Sequence, residues 1–116
     1  MAVMLSKMLG AVVGLAVALS LTAPAAAQVT IKGLADCALW VEARNVGRSV
    51  ALEHYMVGFI NGISMGSNVD IWGAREIRQE QFYLWIDKWC RDNPLDTLYR
   101  AGWSFADEIT GGAVRP

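Results

Sequence analysis

The first 27 residues limit what this chain can fold into. They hold 20 apolar residues, one lysine (Lys7) and no acidic residue, while all eleven Asp and Glu and all eleven aromatic residues lie beyond them. An apolar run from Met8 to Ala23 leads into Pro24, Ala25, Ala26, Ala27 and Gln28. Positive start, apolar middle and small-residue end is the order of a secretory signal peptide, and Ala25 and Ala27 fit its A-x-A cleavage rule. The reading is a cleaved signal over 1–27 that exports the chain through the inner membrane to the periplasm. The alternative is an anchor that stays in place, since Met8–Ala27 is long enough to span a bilayer. Pro24 and the alanines suit a peptidase better. No cysteine follows the run, which gives no support to a lipid anchor.

Export leaves 89 residues, of which 43 are apolar, the proportion of an ordinary globular domain. That is one small domain, too short for a multidomain enzyme and too apolar for a disordered chain. Nine Lys or Arg against eleven Asp or Glu give a formal charge of −2. This offers no electrostatic case for nucleic acid or an anionic lipid surface, and nothing after residue 28 is apolar enough to span a membrane.

Cys37 and Cys90 are the only cysteines. In an oxidising compartment a disulfide is the default for such a pair. Neither sits in a C-x-x-C motif, which disfavours a redox pair. The bridge would close a loop of more than fifty residues and contribute about 4 kcal/mol by loop entropy.

Apolar spacing predicts four helices and no strand. Residues 28–33 are a lead-in. Leu34, Cys37, Ala38 and Val41 repeat at helical spacing, and that helix ends near Asn45–Gly47. Ser49 is the expected N-cap of a second helix over about Val50–Met65, with Leu52, Met56, Phe59 and Ile63 along one face. Gly58, Gly62 and Gly66 recur in it every fourth residue. Each costs about 1 kcal/mol against Ala in a helix, so the row is expected to serve close helix packing. Residues 67–75 read as a loop, and Trp72 within it is the candidate for an exposed partner contact. A third helix runs from about Ile77 to Asp92, with Phe82, Trp85, Ile86, Trp89 and Cys90 as its core face. Asn93 is expected to cap a fourth helix with Pro94 at its first position. Leu95, Leu98, Gly102, Phe105 and Ile109 form the inner stripe of that helix, and Thr110-Gly111-Gly112 ends it. The expected fold is a single-domain, all-α, four-helix orthogonal bundle over 34–110, with helix 1 tied to helix 3 by Cys37–Cys90 and a disordered tail over 111–116.

The chain carries little that reads as catalysis. His54 is the single histidine and reads as structural. No nucleophile motif, metal-ligand spacing or phosphate-cradling glycine loop is present, and no cofactor is implied. Asp107 and Glu108 are helix neighbours that point apart, a poor acid–base pair. Asp87 and Arg91, four apart, are expected to form a weak surface pair. The five tryptophans could contact a sugar or a partner protein; Trp85 and Trp89 are more simply core. The reading is a binding protein rather than an enzyme.

A signal peptide, Cys37 at the start of helix 1, and the run Trp89-Cys90-Arg91-Asp92-Asn93-Pro94 followed by Leu98-Tyr99 together resemble the HdeA/HdeB family of periplasmic acid-stress chaperones. The similarity covers residues 35–109 in outline and rests on about ten positions. It implies a homodimer that rests near neutral pH and loosens in acid to bind unfolded periplasmic clients through apolar surface. The segment Gly58-Phe59-Ile60-Asn61-Gly62 departs from those chaperones and is similar to Tai-type immunity proteins of type VI secretion. That resemblance implies instead a specific toxin as partner.

Overall fold

The computed structural model describes residue 28 and residues 30–115, so the expected signal peptide lies outside the described residues. Four α-helices follow one another: α1 (Cys37–Asn45), α2 (Val50–Ser67), α3 (Gln79–Asp92) and α4 (Leu98–Ile109). The all-α bundle expected from the spacing is what forms, and Cys37 and Cys90 are bonded with their Cα atoms 4.9 Å apart. α1 packs on α3, α3 on α4, and α4 on α2.

The core follows from where each helix puts its apolar positions. Trp40, Met56, Ile60, Ile71, Phe82, Ile86, Leu98, Phe105 and the disulfide are sealed from solvent. Phe82 and Phe105 face each other across α3 and α4 with ring centroids 4.6 Å apart. Their planes are tilted by 54°, which avoids the disfavoured face-to-face sandwich.

Helix boundaries are set by capping. Asp36 caps α1, its Oδ1 accepting from the Leu39 backbone N–H at 2.7 Å, so α1 starts at Cys37 and leaves Leu34 outside and half-exposed. Ser49 precedes α2 as expected but makes no side-chain cap bond. α2 runs two residues beyond the expected Met65 before Asn68 ends it in the left-handed conformation, which Asn tolerates better than most residues. α3 begins at Gln79 rather than Ile77, where Arg78 N–H donates to Gln81 Oε1.

The largest departure is at α4. Asn93 caps the end of α3 instead, donating from both its backbone N–H and its Nδ2 to the Trp89 carbonyl. Pro94–Asp96 form a turn, and α4 begins only at Leu98, with Thr97 Oγ1 accepting from Arg100 N–H. The reason is tertiary. Asp36 and Thr97 pair as a single antiparallel bridge: Cys37 N–H donates to Asp96 O, and Leu98 N–H to Ala35 O, each at 2.9 Å. This pairing needs extended backbone beside the disulfide, which a helix starting at Pro94 would not supply. Leu95, expected on the inner stripe, is consequently 99% exposed.

The segment after α2 is a series of turns, as its composition indicated, but Ile71 within it is fully buried. The tail expected to be disordered folds back: Val114 is 3% exposed, and its N–H donates to Thr110 Oγ1. Burying the valine side chain contributes about 1.5 kcal/mol or more toward ordering the segment.

The glycine row does not pack. A Cβ built at Gly58, Gly62 or Gly66 meets no heavy atom within 4 Å, and all three are exposed. α2 buries Met56, Ile60 and Ile63. At about 100° per residue, Gly58 and Gly62 fall on the side away from that stripe. The glycine that allows close approach is Gly102 on α4, where a Cβ would lie 2.5 Å from Phe59 Cε1. Gly102→Ala is expected to lose about 1–2 kcal/mol, because overpacking outweighs the gain in helix propensity. Urea unfolding at pH 7 checks this, and an unchanged or raised stability would contradict the contact.

Candidate functional site

Two features stand out once the core is accounted for. The first joins α1, α2 and α3. Trp40 and Arg44 lie four apart on α1, and Tyr83 and Asp87 four apart on α3, so each pair shares one helix face. Arg44 forms a two-pronged pair with Asp87, Nε to Oδ1 and Nη2 to Oδ2, both at 2.9 Å. Its Nη1 reaches Glu53 in the first turn of α2, also at 2.9 Å. Asp87 Oδ1 accepts a further bond at 2.7 Å from the indole N–H of fully buried Trp40. The Arg44 guanidinium also lies 5.8 Å from the ring centroids of both Trp40 and Tyr83.

One cation is thus held between two carboxylates and two aromatic rings. The hydrogen bond to Asp87, and then the nearby negative charges, hold the Arg44 pKa above its ordinary value against partial burial. It stays protonated at any pH the molecule meets. Tyr83 is pushed above its usual value, first by burial and then by Glu53 and Glu80. Asp87 does not serve Arg91, as the four-residue spacing suggested; a partner 43 positions away takes it. Spacing along one helix carried no sign of this, because the Arg44 fork comes from another helix.

The second feature is the cleft between α3 and α4. Trp85 and Trp89, expected to be core, are half-buried and line a space of about 540 Å³ with Lys88, Asp92, Ser104 and Glu108. Beside it, Tyr99, Arg100, Trp103 and Asp107 line a second space of about 280 Å³, and Ser104 belongs to both. Phe105 is what keeps Trp85 half-exposed: it fills the interior at that level and meets the Trp85 ring edge-on at 5.4 Å. The Trp85 indole N–H donates to Glu108 Oε2. Trp103 Nε1 is buried without a partner.

Trp72, the candidate partner contact, is half-buried rather than exposed. It donates to Asn61 Oδ1 at 2.7 Å and stands edge-on to Phe82 at 5.3 Å, so it pins the α2–α3 turns onto the core. One side of it still lines an open cleft with Val57, Asn61 and Ile77. His54 is exposed on α2. Among the described residues no cluster of three His, Cys, Asp or Glu side chains is placed to hold a metal. None of the described helices is long and apolar enough to cross a membrane.

No protein-family model matches the chain, and no curated protein or solved structure is similar enough to place it beside a relative.

Proposed function

We propose that this chain is an exported binding protein of HdeA/HdeB type, not an enzyme, which opens in acid and holds unfolding clients on apolar surface in the periplasm. The observation that carries the reading is the Arg44 clasp. α1 is covalently tied to α3 by Cys37–Cys90, whereas the main packings of the bundle are α1 on α3, α3 on α4 and α4 on α2, and Arg44–Glu53 is an ion pair that joins α1 to α2. Acid neutralises carboxylates as a class and leaves a guanidinium charged, so the clasp loses its counter-charges while Arg44 keeps its own. Glu80 lies near Tyr83 and Arg91 near Arg44 and Asp87, so one further carboxylate and one further guanidinium flank the clasp. The eleven carboxylates of residues 28–116, once protonated, leave nine basic side chains and His54 to repel one another. The join between α1 and α2 then parts, uncovering Trp40, while the disulfide keeps α1 on α3 and the opened form compact. Strongly exposed Val46 and Val50 flank the turn that joins α1 to α2.

The test is dye binding to apolar surface, with suppression of client aggregation, at about pH 2–3 and at pH 7. Both are expected to rise several-fold in acid and to reverse on neutralisation. Equal dye binding at the two values would end the chaperone reading. Tight, one-to-one binding of a single secreted toxin at neutral pH, without acid exposure, would assign the protein to the Tai-type immunity class instead.

A further inference from the structure

We infer that the cleft between α3 and α4 binds a small quaternary ammonium cation on Trp85, Trp89 and Glu108. The Arg44 clasp shows the chemistry at work elsewhere in the chain. There the Trp40 indole N–H donates to the Asp87 carboxylate, and the Arg44 cation pairs with that carboxylate and lies 5.8 Å from the Trp40 ring centroid. The α3–α4 cleft repeats the first half of this arrangement: the Trp85 indole N–H donates to the Glu108 carboxylate. The chain supplies no cation for the second half. Among the described residues no lysine, arginine or histidine pairs with the Glu108 carboxylate. Arg75 reaches only the Glu108 backbone carbonyl, at 3.3 Å, and is not among the residues that line the cleft.

Trp85 and Trp89 lie four apart on α3, about 6 Å along its axis, so they share one helix face, and both line the cleft. Tryptophan is the strongest aromatic partner for a cation. A carboxylate on the indole N–H also polarises the ring and makes its face more negative, so Trp85 and Glu108 attract the same guest. Lys88 lines the cleft too, but its ammonium is held by Asp92 at 3.1 Å; the charge left uncompensated is that of Glu108. The free acceptors decide the class of cation. A primary ammonium carries three N–H donors, each of which needs an acceptor once it leaves water. One Glu108 oxygen is taken by Trp85 and Asp92 is engaged by Lys88, which leaves the other Glu108 oxygen and the Ser104 hydroxyl among the lining side chains. A quaternary ammonium has no N–H to satisfy, and its methyl groups carry the charge directly onto indole faces.

This inference does not rest on acid opening and is tested at pH 7 on the folded, disulfide-bonded protein. Calorimetric titration with choline at low ionic strength is expected to give saturable binding, at millimolar affinity or tighter, that weakens as salt is added. Two probes of similar size serve as controls: ethanolamine, and the uncharged isostere of choline in which a tert-butyl group replaces the trimethylammonium. Each is expected to bind about tenfold more weakly or worse. Glu108→Gln, which removes the charge but keeps an acceptor for the Trp85 indole, is expected to weaken choline binding about fivefold or more without loss of helix content. Trp89→Leu, which keeps an apolar side chain but removes the ring, is expected to weaken it by a similar factor. Absence of saturable choline binding at millimolar concentrations overturns the proposal, as does choline binding unchanged in Glu108→Gln. Equal binding of the uncharged isostere would show an apolar cleft with no preference for charge, and equal binding of ethanolamine would show no preference for the quaternary head; either result also overturns it.

Discussion

Replacing both Cys37 and Cys90 with alanine is expected to lower the unfolding free energy at pH 7 by about 4 kcal/mol. The two are 53 residues apart, and the bond removes from the unfolded chain the entropy of closing that loop. The net stability of a domain of 89 residues is on the order of 4–13 kcal/mol, so the loss is a large part of the whole. Both sulfurs are sealed from water, and alanine leaves no unsatisfied polar group there. Urea unfolding of the variant, and of the parent after reduction in denaturant, measures the effect. A loss below about 1 kcal/mol would mean that the core and the Asp36–Thr97 bridge alone hold α1 in place. The same variant bears on the acid response: without the bond, opening at low pH is expected to run on to general unfolding, with loss of helix content as well as dye binding.

Asp87→Ala is expected to cost about 3 kcal/mol, the second-largest effect. Its carboxylate takes three hydrogen bonds, two from Arg44 and one from Trp40. Without it the Trp40 indole N–H is left buried and unpaired, which by itself costs about 1–3 kcal/mol. Arg44 retains Glu53 alone. Arg44→Met is expected to cost less, because its aliphatic replacement still covers Trp40 and Tyr83 while the released carboxylates can turn to water. The order of the two variants in urea unfolding is the check; a larger loss for Arg44→Met would show that the cation, rather than the buried indole, governs the cluster. Dye binding at neutral pH is expected to rise in Asp87→Ala, which imitates acid at one carboxylate.

The fold was largely legible because helices are local. Phe82, Ile86 and Cys90 repeat at the helical period and are buried, and the same arithmetic placed Leu98, Phe105 and Ile109 on the inner side of α4. Two cysteines with no other partner could bond only to each other. Misreadings arose where a local rule met a distant neighbour. Asn93-Pro94 is a sound helix start by residue preference, yet the pairing of Asp36 with Thr97 keeps that stretch extended. Gly58, Gly62 and Gly66 looked like a packing row by type, while their angular position on α2 turned them to solvent. Trp85 carries the right spacing for a core, but Phe105 occupies the interior before it and meets its ring edge-on.

The sequence by itself determined the helical class, the covalent tie and the set of apolar residues available for the core, because periodicity, cysteine count and composition depend on neighbours along the chain. Only the tertiary structure decided that Arg44 is shared between Asp87 and Glu53, and that Trp85 and Trp89 of α3 share a cleft with Ser104 and Glu108 of α4. Both depend on how separate helices are rotated and set against each other. Packing decides that rotation by filling the space around Phe82 and Phe105, and no repeat within a single helix records it.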